Sequence, residues 1–539
     1  MGRLAAPDRA NHGAVAVRIA SREFVLAGHA PGAGVWQAGE PGLRITPGGR
    51  ARTVRRAWLD TFDWRLFRAG LTLELRAPGR PAGRGGRAGA VLVLTGRDGR
   101  AVTGEAGPAA RPPFLAGALP DGPLRARLAA AAGVRALLPL AEATSVLTEA
   151  PALNADGKTV AVVTLDRSEL TAPSRAALPA RLVIGPLRGY QAEADRLAAA
   201  LAGAPGVEPA AGSAFETALA AAGRRPGDCS GRADVRLSAG MPAAAAVAVI
   251  LLSLLDAAEA NVPGTLRDLD TEFLHDLRVA VRRTRSVLRA AGAALPPGLA
   301  DRYRAEFKWL GDLTTPVRDL DVYLLGYPAM AAGLVAAAPA DLEPFRERLR
   351  QRRARARGRL VRGLRSERFA DLAAGWRRDL AGLAGASGGP SAGELAAGQI
   401  ARAHRRALLL GGSIGPGSPP QALHELRKAC KELRYLLEAF ASLHDPARQR
   451  RAVRELKALQ DCLGRFQDAE VQLAVLREIA GQLHADGSAP AAALLAMGEA
   501  AGAVAARQAA ARGEFAERFA GFASPGGRAR IRALTRGAR

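Results

Sequence analysis

Two segments of this chain, 149 positions apart, are written almost alike. Phe273-Leu-His-Asp-Leu-Arg-Val-Ala-Val-Arg-Arg-Thr-Arg returns as Ala422-Leu-His-Glu-Leu-Arg-Lys-Ala-Cys-Lys-Glu-Leu-Arg. The same offset carries Lys308-Trp-Leu-Gly-Asp onto Lys457-Ala-Leu-Gln-Asp, and Asp319-Leu-Asp-Val onto Asp468-Ala-Glu-Val. One offset through separate motifs identifies a duplicated unit. What the copies share is His, Arg and Lys at helical spacing, which suits a polyanion.

At about 100° per residue, Arg278, Arg282, Arg285 and Arg289 fall with His275 inside an arc of about 80°. Leu277, Val281, Thr284 and Leu288 occupy the adjoining arc, so a basic stripe borders an apolar one. In the second copy His424, Arg427, Lys431 and Arg434 make the basic stripe, and Leu426, Cys430, Leu433 and Leu437 the buried one. A solvated helix face mixes signs to gain i,i+4 pairs. A one-sign stripe repels itself unless an anion is present, and its duplication in register argues against a merely solvated face. The chain has five lysines, 158, 308, 428, 431 and 457, and four lie in the repeat. Lysine there implies positions suited to a compact ammonium rather than a planar guanidinium.

At 539 residues, two or three domains are expected. A net charge of +25 and a pI of about 11.3 call for anionic partners. Cys229, Cys430 and Cys462 give neither a disulfide framework nor a metal spacing, as suits a reducing cytoplasm. Met1 to Asn11 lacks a secretory apolar region. The run Ala243 to Leu255 is too short to cross a bilayer and is expected to begin a buried helix, so no membrane insertion is expected.

Residues 1–12 read as a flexible tail. From 13 to 201, β-type runs alternate with Gly/Pro turns: Ala14–Ile19, Leu71–Arg76, Val91–Thr95, Val160–Leu165 and Arg181–Ile184. Gly79 to Gly89 reads as a mobile hairpin loop and Gln191 to Leu201 as a closing helix. Residues 202–240 read as a linker, 241–525 as a helical domain and 526–539 as a basic tail. Helix breaks are expected at Pro296-Pro297, Pro328, Gly388-Gly-Pro and Gly411 to Pro420. The basic helix Arg346–Arg365 reads as a solvated face, the alternative being an extension of the anion groove.

Four ordered motifs, His275-Asp-Leu-Arg-Val-Ala-Val-Arg-Arg, Trp309-Leu-Gly-Asp with Arg318-Asp-Leu-Asp-Val, His424-Glu-Leu-Arg-Lys, and Leu459-Gln-Asp-Cys-Leu-Gly with Asp468, resemble the CHAD domain, a histidine-containing α-helical domain. The resemblance covers about 241–525. It implies two pseudo-symmetric four-helix bundles around a basic groove, and non-catalytic binding of inorganic polyphosphate. The ligands it implies are His275, Arg278, Arg282, Arg285, Lys308, Arg318, His424, Arg427, Lys431, Arg434 and Lys457. Arg318 is matched by Gln467, so the halves are not electrostatically equal.

Upstream, Trp58-Leu-Asp-Thr-Phe-Asp-Trp-Arg-Leu-Phe-Arg-Ala-Gly-Leu-Thr-Leu-Glu-Leu-Arg and Arg181-Leu-Val-Ile-Gly-Pro-Leu-Arg-Gly-Tyr resemble the CYTH superfamily, whose β-barrel tunnel hydrolyses triphosphates with a divalent metal. The expected fold is therefore multi-domain α+β, an antiparallel CYTH-like β-barrel before the helical bundles. The family's first strand carries Glu-x-Glu-x-Lys, but the best-placed match here is Ala14-Val-Ala-Val-Arg18. Alanine offers no oxygen for Mg²⁺ or Mn²⁺. A second register, at Glu23, has no second acid. Glu74 and Arg76 remain on a later strand, Glu142 and Glu149 stand where the family places basic residues, and Arg18, Arg76 and Arg181 could line a tunnel.

His404, with Arg402, Arg405 and Arg406, reads as an exposed polar helix, with an accessory anion contact as the alternative, and His12, His29, His444 and His484 as surface residues. Asp312/Asp461, Asp319/Asp468 and Asp321/Glu470 are expected to pair with arginines or cap helices rather than hold metal. The expectation is a bacterial, cytoplasmic polyphosphate-binding protein, on polyphosphate granules where these form, with no catalytic residues, metal or cofactor. Two alternatives stay open: a triphosphatase using Mg or Mn, and a basic protein associated with nucleic acid. The second is weakened by an aromatic content of 4%, which leaves few stacking platforms.

Overall fold

The computed structural model describes residues 22–27, 42–46, 51–79, 89–97, 99, 101–106, 111–228 and 235–536. The chain divides into two compact units at Ser230/Gly231.

The first unit is an antiparallel sheet. Its strands are β1 (Arg22–Leu26), β2 (Leu43–Ile45), β3 (Arg52–Asp60), β4 (Leu71–Pro78), β5 (Val91–Gly96), β6 (Ala101–Glu105), β7 (Phe114–Leu115), β8 (Ala136–Asn154), β9 (Thr159–Ala172), β10 (Ala176–Ala177), β11 (Arg181–Pro186) and β12 (Val207–Pro209). They lie in the order β12-β1-β11-β9-β8-β3-β4-β5-β6, with β10 on β9 and β2 and β7 on β8. Helices α1 (Arg65–Arg68), α2 (Pro123–Ala132), α3 (Gln191–Ala202) and α4 (Ala214–Ala221) accompany the sheet.

The first described strand is the Glu23 register; Ala14–Arg18 lies outside the described residues, as does most of the Gly79–Gly89 loop. The 19-residue β8 was not anticipated, because Ala143, Ala150 and Ala152 fill its buried positions and blunt the period-two signal. The stretch 202–240, expected as a linker, instead gives β12 to the sheet edge beside β1. It also gives α4, which starts at a Ser213–Glu216 capping box and joins Phe215 and Leu219 to the cluster around Trp58 and Trp64.

The Asp60-Thr61 turn of the signature is a cap. The buried Asp60 carboxylate accepts from the backbone N–H groups of Thr61, Leu66 and Phe67 at 2.6, 2.9 and 2.9 Å, fixing α1. On the same sheet Arg56 bridges Glu74, which Arg76 also reaches at 2.7 Å, and Asp166 at 2.5 Å. Burial pushes the Glu74 carboxyl up, but Arg56 and Arg76 outweigh it and hold it at about 2.

The second unit is helical: α5 (Ala243–Arg267), α6 (Thr271–Ala291), α7 (Leu299–Ala332), α8 (Glu343–Leu364), α9 (Glu367–Ala381), then α10 (Ala392–Gly412), α11 (Pro420–Ala439), α12 (Pro446–Ala485), α13 (Ala491–Ala523) and α14 (Pro525–Arg536). Helices α5–α9 answer in order to α10–α14, and α5 and α6 each start 149 positions before their counterparts. Each half thus has five helices rather than the expected four. The halves meet on repeat-equivalent backbone, where Pro242 and Ser391 form an antiparallel bridge. Ala243 N–H donates to the Pro390 carbonyl at 2.9 Å, and Ala392 N–H to that of Met241 at 2.8 Å.

The apolar stripes of α6 and α11 are buried as expected: Leu277, Val281, Thr284 and Leu288 in one, Leu426, Cys430, Leu433 and Leu437 in the other. Trp376 of α9 is fully buried against Tyr303, with ring centroids 4.3 Å apart, and Phe307, at 5.7 Å. Two expectations are overturned here. The chain does not break at Pro328. α7 runs through it to Ala332, held by the buried Tyr327 and Ala331 on either side. The expected tail 526–539 contains α14, which buries Ile531 and Leu534 and docks Arg530 on Glu455 at 2.7 Å.

The basic helix α8 is not a plain solvated face either. Arg348 pairs with Asp486 and Arg352 with Glu478, at 2.7 and 2.8 Å. Arg353 reaches Asp268 at 2.7 Å and the buried Asp321 at 2.5 Å. The expected start of a buried helix at Ala243 is correct. That helix, α5, is long and apolar enough to cross a membrane by length and composition, and 56% of its apolar window is buried here.

Candidate anion-binding cleft

Because α6 and α11 lay their apolar stripes into one core, their basic stripes must emerge side by side. Arg278, Arg282, Arg427 and Lys431, two repeat-equivalent pairs, form a cationic cluster across the two helices. Its acidic relief is slight. Arg278 lies 3.8 Å from Asp319 and Arg427 3.3 Å from Asp468, both carboxylates being more than half exposed. Arg282 and Lys431, both half-buried, make no ion pair or hydrogen bond among the described residues. Buried nitrogens of Arg278, Arg282, Arg427 and Arg434 also have no hydrogen-bond partner among the described residues.

The electrostatics follow from this crowding. Burial first, then Arg427 and Arg282, bring the Lys431 ammonium down to about 7 against the pull of Asp468. Burial also lowers Arg278 and Arg427 against their aspartates, and Arg282 adds to it in both. His275 is lowered to about 4 by burial and by Arg318, Arg282 and Arg278, opposed by Glu272. It is therefore neutral at pH 7, a hydrogen-bonding group rather than a charge. Asp319 is raised by burial and by the facing Asp468, despite Arg278.

Beside this cluster a 640 Å³ cleft opens between the two halves. Its polar wall includes His275, Arg282, Arg283, Arg434, Tyr435 and Lys457. Tyr435 is clasped by guanidinium groups, Arg434 at 5.5 Å, Arg282 at 5.6 Å and Arg283 at 6.0 Å from the ring centre, and its buried hydroxyl has no partner among the described residues. Glu438 accepts from Arg283 at 2.5 Å and lies 3.6 Å from Arg434. Arg283, Tyr435 and Glu438 escaped sequence reasoning because the repeat changes there: their equivalents are Glu432, Ser286 and Arg289. A departure from the repeat was itself the available signal.

Other anticipated residues are outside the cationic cluster, Lys457 alone among them reaching the cleft wall. Lys308 and Lys457 are exposed and each pairs with an aspartate one turn on, Asp312 at 2.7 Å and Asp461 at 3.2 Å. Arg285 lies over Gly311, where a Cβ would come within 2.8 Å of its guanidinium. Arg318 donates to the Thr271 carbonyl at 3.0 Å and sits 3.5 Å from Glu272, bracing the start of α6. Its counterpart Gln467 instead hydrogen-bonds His424 at 2.7 Å and Glu470 at 2.9 Å. Among the described residues no cluster of three or more His, Cys, Asp or Glu side chains could hold a metal.

Residues 249–477 match the family model described as CHAD domain. The helical unit carries a CHAD domain. Similar solved structures include that of the CHAD domain from the plant Ricinus communis, 26% identical, covering 58% of this chain and 98% of that one, TM-score 0.43. Another is PptA from Streptomyces chartreusis, 18% identical, covering 52% of this chain and 99% of that one, TM-score 0.41. No curated protein matches. The CHAD match takes in both basic stripes and ends inside α12, before α13 and α14.

Proposed function

We propose that the CHAD domain binds inorganic polyphosphate along this cleft, and that the sheet unit is a CYTH-like domain without hydrolytic activity. The observation that carries the reading is the pair Arg282 and Lys431: half-buried, repeat-equivalent cations of one sign with no ion-pair or hydrogen-bond partner among the described residues. Each would form charge-assisted bonds to phosphate oxygens, and a linear polyanion would release counterions on entering. A phosphate chain also needs no stacking platforms. In the sheet unit the buried acids Glu74 and Asp166 are engaged by Arg56, so they neutralise an arginine rather than offer oxygens to a metal. Arg181 is likewise held, by Glu23 at 2.7 Å and the Gly212 carbonyl at 2.6 Å. The protein would act in the cytoplasm, on polyphosphate granules where these form.

The test is a titration of the purified protein with long-chain polyphosphate and with DNA of equal charge, with and without Mg²⁺ or Mn²⁺, following binding and phosphate release together. Tighter binding of polyphosphate without release is expected. Equal binding of DNA would support the nucleic-acid reading, and metal-dependent release the triphosphatase.

A further inference from the structure

The contact between the first and fifth helices differs in sign between the two halves. In the first half α9 meets α5 through Arg377, which pairs with Asp256 at 2.7 Å and with Glu259. In the second half the equivalents of those acids, 149 positions on, are Arg405 and Leu408. Facing them on α14 are Arg528 and Arg532, so cation meets cation where the first half has an ion pair. No carboxylate pairs with Arg405, Arg528 or Arg532 among the described residues. The helix docks regardless, through Ile531, Leu534 and the Arg530–Glu455 pair on its other side.

A built cavity accompanies this arrangement. A 220 Å³ pocket lies between α10 and α14, lined by His404, Arg405, Arg528 and Arg532 among others. Arg532 also lines an adjoining 520 Å³ pocket with Arg448 and Arg536. His404 was expected on an exposed face, but it is only 5% exposed and its ring packs edge-on to Phe522 at 5.6 Å. Its Nε2 is buried without a hydrogen-bond partner among the described residues, at the wall of the smaller pocket. An unsatisfied buried nitrogen beside three like charges costs stability unless a ligand completes it. Burial and the arginines Arg528 and Arg532 keep the imidazole neutral at pH 7, so it would contribute a hydrogen bond and the arginines the charge.

We infer that the pocket between α10 and α14 is a second phosphate-binding site, separate from the cleft, that takes a phosphate group or the end of a linear oligophosphate. A tetrahedral oxyanion would sit among Arg405, Arg528, Arg532 and His404, and further units would run past Arg532 toward Arg448 and Arg536. The identity of the ligand rests on the polyphosphate reading; the site does not.

The experiment is calorimetric titration of the full chain with tripolyphosphate at fixed salt. The cleft variant Arg282→Ala/Lys431→Ala should keep one saturable site. Adding Arg528→Gln/Arg532→Gln to it should weaken that remaining site at least 10-fold. Adding Arg405→Asp instead restores the acid of the first half. It should abolish the site and leave the melting temperature unchanged or higher, because the introduced carboxylate could pair with the α14 arginines; that separates loss of the site from loss of the fold. No saturable binding in the cleft variant, or undiminished binding after either addition, overturns the inference. Undiminished binding by the cleft variant, lost on adding the α14 changes, supports the second site and sinks the cleft instead.

Discussion

The two halves of the helical domain share a fold and differ in their charges. Where the first half has Arg282, Arg318, Asp321 and Asp256, the second has Lys431, Gln467, Glu470 and Arg405. The apolar stripes have kept their burial in both copies. Packing is therefore what holds the duplicated unit in shape, while charges facing solvent or a ligand are free to change. The difference sorts the polar residues by role. Arg278/Arg427, kept in both halves, and Arg282/Lys431, which changes type but not sign, belong to the cationic cluster beside the cleft, whereas Arg318/Gln467 and Asp256/Arg405 change the charge of one half alone.

The comparison can be broken most directly at the equivalent pair that has no ion-pair or hydrogen-bond partner among the described residues. Arg282→Ala/Lys431→Ala should weaken polyphosphate binding by about 1.5–3 kcal/mol per charge, or about 10- to 150-fold each. It should also flatten the salt dependence, because fewer counterions are released. Arg355→Ala/Arg359→Ala removes the same formal charge from α8, away from the stripes, and should change affinity little. Equal loss in both, measured by titration at several salt concentrations, would mean that net charge rather than position sets affinity. Arg353 is unsuitable as such a control, because it holds the buried Asp321.

The next contrast concerns stability. Asp321 is 2% exposed and takes Arg353, whereas its equivalent Glu470 is half-buried and bonded to Gln467. Asp321→Ala leaves Arg353 with Asp268 as its remaining partner and should cost about 1.5–3 kcal/mol. Glu470→Ala should cost about 1 kcal/mol. Denaturant unfolding of the two variants reads the difference directly; similar losses would show the halves to be equally dependent on charge.

The remaining contrasts are in protonation. Lys431, lowered to about 7, titrates near neutral pH. Its folded value lies below its unfolded value, so the charged form costs stability and the ligand-free protein should gain stability with rising pH from about 7 into the ordinary lysine range. An anion favours the ammonium. Polyphosphate should therefore bind more tightly at pH 6 than at pH 8 and take up a proton near pH 8, an uptake that Lys431→Arg should abolish. Calorimetry in buffers of different ionisation enthalpy measures it. The smallest effect is at Arg318. Arg318→Gln makes the first half resemble the second and should raise the His275 pKa from about 4, since after burial Arg318 opposes its protonation most. Proton NMR titration of the imidazole gives the shift, and an unmoved His275 would place its control in burial and the arginines of α6.

The helical half was legible because helix periodicity and the repeat reinforce each other: the buried and basic stripes of α6 and α11 could be read residue by residue. The cleft was half legible. Arg278, Arg282, Arg427 and Lys431 lie on the stripes, whereas Arg283 and Tyr435 reach it only because α6 and α11 are brought together, which no single-helix pattern encodes. His404 looked exposed because its neighbours are arginines, and its burial depends on α14, which falls in a stretch, 526–539, whose five arginines resemble a tail. The two buried apolar residues there, Ile531 and Leu534, were too few to reveal a docked helix. In the sheet unit β8 hid behind alanines, and the strand at Glu23 was overshadowed by the more regular run at Ala14, which ends in a base at Arg18.

The backbone bridge at Pro242 and Ser391 bears on the history of the chain. Residue 243 gives to 390 and residue 392 gives to 241, so each copy offers the other the same donor and the same acceptor. Such reciprocity is the mark of an isologous, two-fold contact. A polypeptide with a single copy of the unit would already be complementary to itself and would assemble as a homodimer with two identical basic stripes at its axis. Two copies in one chain keep that contact within a single molecule, free of the requirement, inescapable for a homodimer, that every substitution appear twice. Arg282 opposite Lys431, and Asp256 opposite Arg405, are asymmetries that only the fused form can hold.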